Sequence, residues 1–227
     1  TGCDTILAQM AAESLMCPVE DVAVSGADTD TSPYDTGSYA SSTTYITGKA
    51  VQRACVSLVH RIRKQAARML ECRTNELKFD GSRAVNQNNG RTVTLEQIGL
   101  ASMCDSNHAL QVTKSHSSPV SPPPFMAGAV EIELDKETGH VEILDYAAVV
   151  DCGTVINPNL ARVQTEGGLA QGIGMTLYED IQYNSKGKLR NNSLMQYKIP
   201  SRLDMGKLRV DFQSSYEPTG PFGAKSI

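Results

Sequence analysis

Residues 130–150 alternate in a way that a half-buried pair of strands explains. From Val130 to Asp135 apolar and acidic side chains take turns, Lys136–Gly139 supplies a turn, and Val141–Val150 returns as a second apolar stretch. A period of two places one set of side chains on a buried face and the other in water, so this stretch predicts a β-hairpin. A different period governs residues 42–71. Val51, Ala54, Leu58 and Ile62 share one face of a helical frame while Arg53, Arg63 and Lys64 fall largely elsewhere, which predicts a long helix from Ser42 to Glu71. A chain with both periods is α+β, with long helices and a mixed or antiparallel sheet.

The remaining segments fill in that frame. Ile6, Leu7, Met10, Ala11, Ser14 and Leu15 form one stripe of a helix over Cys3–Met16, with Asp4 as its N-cap, and Val22–Val24 reads as a short strand. Asp28–Tyr39 is a loop by composition. Leu77–Phe79 and Arg91–Val93 read as strands of a hairpin around Asn89-Gly90, and Thr94 with Gln97 forms a capping box for a helix over Leu95–Met103. Ser115–Pro124 is an extended loop, Asn157-Pro158 opens a helix over Asn159–Thr176, and Leu177–Tyr183 and Leu208–Phe212 read as strands. Two sub-domains are expected, a helical one over residues 1–114 and a sheet with a Gly-rich helix over residues 115–227.

With 227 residues, 40% hydrophobic and 20% charged, the chain can bury a full core. A formal charge of −4, no Trp and 5% aromatics argue against a nucleic-acid partner. No apolar run approaches the roughly 20 residues of a membrane span and no leader opens the chain, so a cytoplasmic protein is expected. The six cysteines form no Cys-x-x-Cys pair and read as reduced, mostly buried thiols. His60, His108, His116 and His140 lack metal-ligand spacing. The chain opens at Thr1-Gly2 without Met and stops soon after Gly220, Pro221 and Gly223, which suggests a portion of a longer polypeptide.

Three segments carry chemical meaning. Asp28–Asp35 has acidic residues at calcium-loop steps, but Pro33 and Tyr39 stand where an EF-hand needs Gly and Glu, leaving side chains that cap their own loop. Gly37–Gly48 places small and hydroxyl residues ahead of the long helix, where N–H groups and the helix dipole favour an anion; an N-capping cluster without ligand is the alternative. Gln164–Gly174 carries glycines on a helical frame, each costing roughly 1 kcal/mol against Ala, which calls for close packing against a backbone or a flat ligand. The terminal Gly220–Ile227 lacks the Gly that a phosphate loop needs before its Lys, where Ala224 stands.

In order along the chain, Gly2–Glu13, Asp28–Gly48, Asp151–Pro158, Gln164–Gly174, Tyr197–Pro200 and Gly223–Ile227 resemble blocks of the molybdenum hydroxylases of the xanthine dehydrogenase and aldehyde oxidoreductase type. The resemblance implies the molybdopterin-binding fold of the large subunit, close to bacterial purine or nicotinate hydroxylases. It implies a molybdopterin cofactor, in many bacterial members the cytosine dinucleotide form, and partners carrying 2Fe-2S clusters and FAD. By resemblance Gly2, Cys3, Asp4 and Thr5 form a cofactor-contacting turn, with Cys3 where many relatives have Gln. Tyr39, Ala40, Ser41 and Thr43 would lie against the pterin, Gln164 would hydrogen-bond its edge, and Lys225 and Ser226 would belong to the run leading to a Gly-Glu whose Glu is the catalytic base.

That Glu is not among these residues, nor is the rest of the molybdopterin subunit. The 227-residue chain by itself is therefore expected to be inactive and free of cofactor, the intact enzyme hydroxylating a small N-heteroaromatic such as xanthine or hypoxanthine, with nicotinate or an aldehyde as alternatives. The rival expectation is a non-catalytic scaffold.

Overall fold

The computed structural model describes residues 2–104 and 109–227, so His108 lies outside the described residues. The chain divides into two compact units, Gly2–Ser121 with Pro218–Phe222 and Pro122–Glu217 with Gly223–Ile227. The first is helical with a small sheet; the second is built on a larger sheet.

In the helical unit, α1 spans Cys3–Leu15 and packs against α2, Thr43–Met69. The N-cap of α1 is Gly2 in the left-handed region, φ 67°, so Asp4 sits inside the first turn rather than capping it. A residue with φ above zero strongly favours Gly, and that requirement overrides the capping preference of Asp. Val22–Val24 is not a strand; a 3₁₀ turn at Val19–Asp21 precedes it and Val22 and its neighbours find no ladder partner among the described residues.

After α2, β1 (Leu77–Phe79), β2 (Arg83–Asn86) and β3 (Thr92–Thr94) form an antiparallel meander in that order. The expected two-strand hairpin is thus corrected: Arg83–Asn86 stands between its strands, and Asn89-Gly90 closes β2 onto β3. α3 (Leu95–Met103) follows with the expected capping box, the Gln97 N–H donating to Thr94 Oγ1 at 3.2 Å and the Thr94 N–H to Gln97 Oε1 at 3.0 Å. Ile62, Ala66, Leu70, Leu77, Phe79, Val93 and Ile98 make one shared core from these elements.

In the sheet unit, β4 (Phe125–Leu134) pairs antiparallel with β5 (Val141–Asp151), and β6 (Lys207–Phe212) pairs parallel with β5 on its other side. A parallel neighbour needs a crossover, and α4 (Pro158–Leu177), packed against β6, lies within it. Asn157 caps α4, accepting the Leu160 N–H at 3.1 Å, with Pro158 at the first helical position. The expected strand over Leu177–Tyr183 is absent; α4 runs through Leu177 and only an isolated bridge joins Tyr183 to Leu189. The architecture is α+β with one mixed and one antiparallel sheet.

All six cysteines are free, but only Cys55 and Cys152 are buried and Cys104 is exposed, fewer than expected. Cys17 and Cys72 fall just past the ends of α1 and α2, where the chain leaves the packed stripe. Among the described residues no helix is long and apolar enough to cross a membrane.

Candidate cofactor site

Two helix entrances in the helical unit carry the residues singled out by sequence. At the first, Gly2 turns left-handed and the N-terminus of α1 has no side-chain cap, so Cys3, Asp4 and Thr5 present first-turn N–H groups. Asp4 and Thr5 are exposed, and Cys3 Sγ lies 3.5 Å from Asp4 Oδ1. Such unmatched donors, together with the positive end of the dipole, suit an anionic or carbonyl-bearing ligand.

At the second entrance the loop is self-organised. The Asp28 and Asp35 carboxylates accept the Asp30 and Gly37 N–H groups at 3.0 and 2.7 Å, so these acids cap their own loop. Ser38 Oγ and Thr43 Oγ1 share a hydrogen bond of 2.5 Å, and the Tyr39 hydroxyl donates to the Thr36 carbonyl. Ala40 and Ser41 are held at φ 46° and 54°. Two successive non-glycine residues in the left-handed region cost on the order of 1 kcal/mol or more each, and such strain clusters where a backbone is shaped for a ligand. Ser42 caps α2 without a side-chain bond.

The hydroxyl row continues into the helix. Tyr45, 2% exposed, places its hydroxyl 3.0 Å from Ser118 Oγ and 2.8 Å from Thr219 Oγ1, and Lys49 Nζ donates to the Gly220 carbonyl at 3.3 Å. These contacts fix the start of α2. Gly48 makes room for them: a β-carbon there would lie 2.6 Å from Met10 Sδ and 3.2 Å from Pro221 Cγ.

In the sheet unit the candidates are Gln164, Lys225 and Ser226. Gln164 is half-buried in the second turn of α4. Lys225 and Ser226 are buried. The Lys225 ammonium has protein partners: Asp151 Oδ2 at 2.8 Å, the Pro123 carbonyl at 3.5 Å and the face of the Phe125 ring, 5.2 Å from its centroid. Asp151 also accepts from Ser215 Oγ at 2.6 Å and the Gly153 N–H at 2.9 Å. The Lys225 and Ser215 hydrogen bonds hold the Asp151 carboxyl down at about 2. The terminal segment is also clamped through its backbone, the Lys225 N–H donating to the Cys152 carbonyl at 2.8 Å and the Thr154 N–H to the Gly223 carbonyl at 2.9 Å. Gly153 and Gly223 adopt φ 74° and 86°, and a β-carbon on Gly153 would come within 2.3 Å of the Gly223 oxygen.

The expected close packing of the α4 glycines is found only at Gly174, where a β-carbon would meet Glu179 Oε1 at 2.2 Å; Gly167, Gly168 and Gly172 face open space. Among the described residues nothing packs on them to offset their helix penalty. Asp151, Ser215 and Tyr45 were not among the sequence candidates. The signals for Asp151 were its place at a strand end beside Cys152-Gly153 and at the head of the Asp151–Pro158 block.

The described residues bring no trio of His, Cys, Asp or Glu side chains together as a metal site. The donors at the two helix entrances are N–H and O–H groups, which suit a hydrogen-bonding organic anion.

Residues 1–206 match the molybdopterin cofactor-binding domain, and the chain belongs to that family. It is 32% identical over its whole length to "Probable hypoxanthine oxidase XdhD" of Escherichia coli K12, of which it covers 24%. Among solved structures, reconstituted CO dehydrogenase from Oligotropha carboxidovorans superposes with a TM-score of 0.88 at 28% identity, over 100% of this chain and 29% of that one. Quinoline 2-oxidoreductase from Pseudomonas putida 86 superposes at 0.81 and 30% identity, over 99% of this chain and 30% of that one. The chain thus spans about a quarter of the length of its curated relative.

Proposed function

We propose that these 227 residues are the cofactor-holding portion of the large subunit of a molybdenum hydroxylase that adds a water-derived oxygen to an N-heteroaromatic ring, a purine such as hypoxanthine or xanthine. The observation that carries this reading is the family match over residues 1–206 joined to the strained, donor-rich loop at Tyr39–Thr43. The named activities of the hypoxanthine oxidase and quinoline oxidoreductase relatives support an N-heteroaromatic substrate. Nicotinate or an aldehyde would be handled by the same chemistry.

The molybdopterin group, when bound, supplies the oxygen nucleophile and the redox capacity. The protein's contribution is orientation. The N–H groups at Cys3, Asp4 and Thr5 and the backbone of Ala40 and Ser41 would receive its acceptor atoms, the Thr43 hydroxyl and Tyr39 would flank it, and Gln164 would bond the pterin edge. Asp151, through Lys225, holds Gly223–Ile227 in one conformation, so Ser226 and the residues around it keep a fixed place. The family's general base does not lie among these residues, and the 227-residue chain by itself has no turnover on this reading. FAD and 2Fe-2S partners in the cytoplasm complete the enzyme.

The test is molybdenum analysis of the complete purified enzyme together with hypoxanthine, nicotinate and aldehyde oxidation in ¹⁸O-labelled water. Stoichiometric molybdenum and label in the product are expected, fastest with the purine. An enzyme without molybdenum, with its partners present, would instead establish a non-catalytic scaffold.

A further inference from the structure

One face of the larger sheet is apolar across all three strands but covered over only two of them. The register puts Met126, Gly128, Val130, Ile132 and Leu134 of β4 on the same face as Val150, Ala148, Tyr146, Ile143 and Val141 of β5. On β5 that row is closed: Ile143, Ala148 and Val150 are buried. On β6 the same face carries the half-buried Leu208, Val210 and Phe212, and α4 packs against β6. On β4 the row stands open, with Met126 55%, Val130 51%, Ile132 50% and Leu134 50% exposed. The opposite face of β4 is mixed, with Phe125, Ala127 and Ala129 at one end and Glu131 and Glu133, beside the Asp145–Arg209 ion pair at 2.8 Å, at the other. Among the described residues the outer edge of β4 is also unpaired over its ten residues.

A ten-residue edge strand with a continuous apolar row is an association surface unless something covers it. Relatives about four times as long supply the occupant, since this chain aligns end to end with 24% of one of them. We infer that the Met126–Leu134 row of β4 is the docking face for the remainder of the same large subunit, whose apolar surface completes the layer that α4 begins over β6. This rests on the large-subunit reading above.

Cysteine accessibility in the complete enzyme tests it. Ile132→Cys and Glu133→Cys are neighbours on opposite faces, and labelling by a maleimide, followed peptide by peptide, reads each separately. Ile132→Cys is expected to react at least tenfold more slowly than Glu133→Cys, and Met126→Cys more slowly than Ala127→Cys at the other end of the strand. Equal rates in both pairs would overturn the inference. A photo-crosslinking residue at Val130 should link to a peptide of the same large subunit; links only to another subunit, or protection lost on dilution as for a second copy, would also overturn it. Molybdenum content of the same preparation keeps the two readings apart: a protected row without molybdenum sinks the cofactor assignment alone, and an accessible row with molybdenum sinks the docking face alone.

Discussion

Lys225 carries its charge into a place 9% exposed, and Asp151 makes that tolerable. Removing one partner of a buried pair leaves the other charge uncompensated, so Asp151→Ala should destabilise the sheet unit by about 3 kcal/mol in urea unfolding. Asp151→Asn keeps an acceptor for Ser215 and isolates the charge. The Asp151 carboxyl titrates at about 2, below its ordinary 3.8, so its contribution is present above pH ~4 and is lost as pH falls towards 2. Of order 2 kcal/mol of wild-type stability should vanish across that window, and the Asn variant should lack that component. At Gly48, Ala should cost about 1–3 kcal/mol through overpacking against Met10 and Pro221, measured in the same way.

Helix α4 separates stability from use. Gly172 faces open space, so Gly172→Ala should raise the thermal stability of the chain by up to about 1 kcal/mol equivalent. If the open side of α4 receives the pterin or another polypeptide, the same change should lower the molybdenum content of the complete enzyme; unchanged content would argue that the glycines serve neither. The helices were legible in sequence because their signals are local: Thr94 and Gln97 meet three residues apart, and Asn157-Pro158 marks α4 directly. Strand β2 was not, since Arg83–Asn86 is four residues with two apolar ones, and its existence depends on neighbours on both sides. Val22–Val24 has strand-forming residues and, among the described residues, no ladder to join. The Tyr39–Thr43 loop was visible from its composition, whereas the Asp151–Lys225 pair joins residues 74 apart and carries no periodic signature.

Across the whole molecule the chain does not hand over cleanly from one unit to the other. Pro218–Phe222 returns to the helical unit, where Pro221 is among its most buried side chains, before Gly223–Ile227 joins the sheet unit. A protein ending at Ser121 should therefore retain its helices by circular dichroism yet melt less cooperatively, because the place beside Met10 and Gly48 stays unfilled. During synthesis Gly2–Ser121 of the helical unit emerges before the sheet unit, but its last piece, Pro218–Phe222, arrives only after the entire larger sheet has been translated. Its apolar cleft must wait open for that interval, so a chaperone that shields helical intermediates would act on Gly2–Ser121 and be released once Pro218–Phe222 is made.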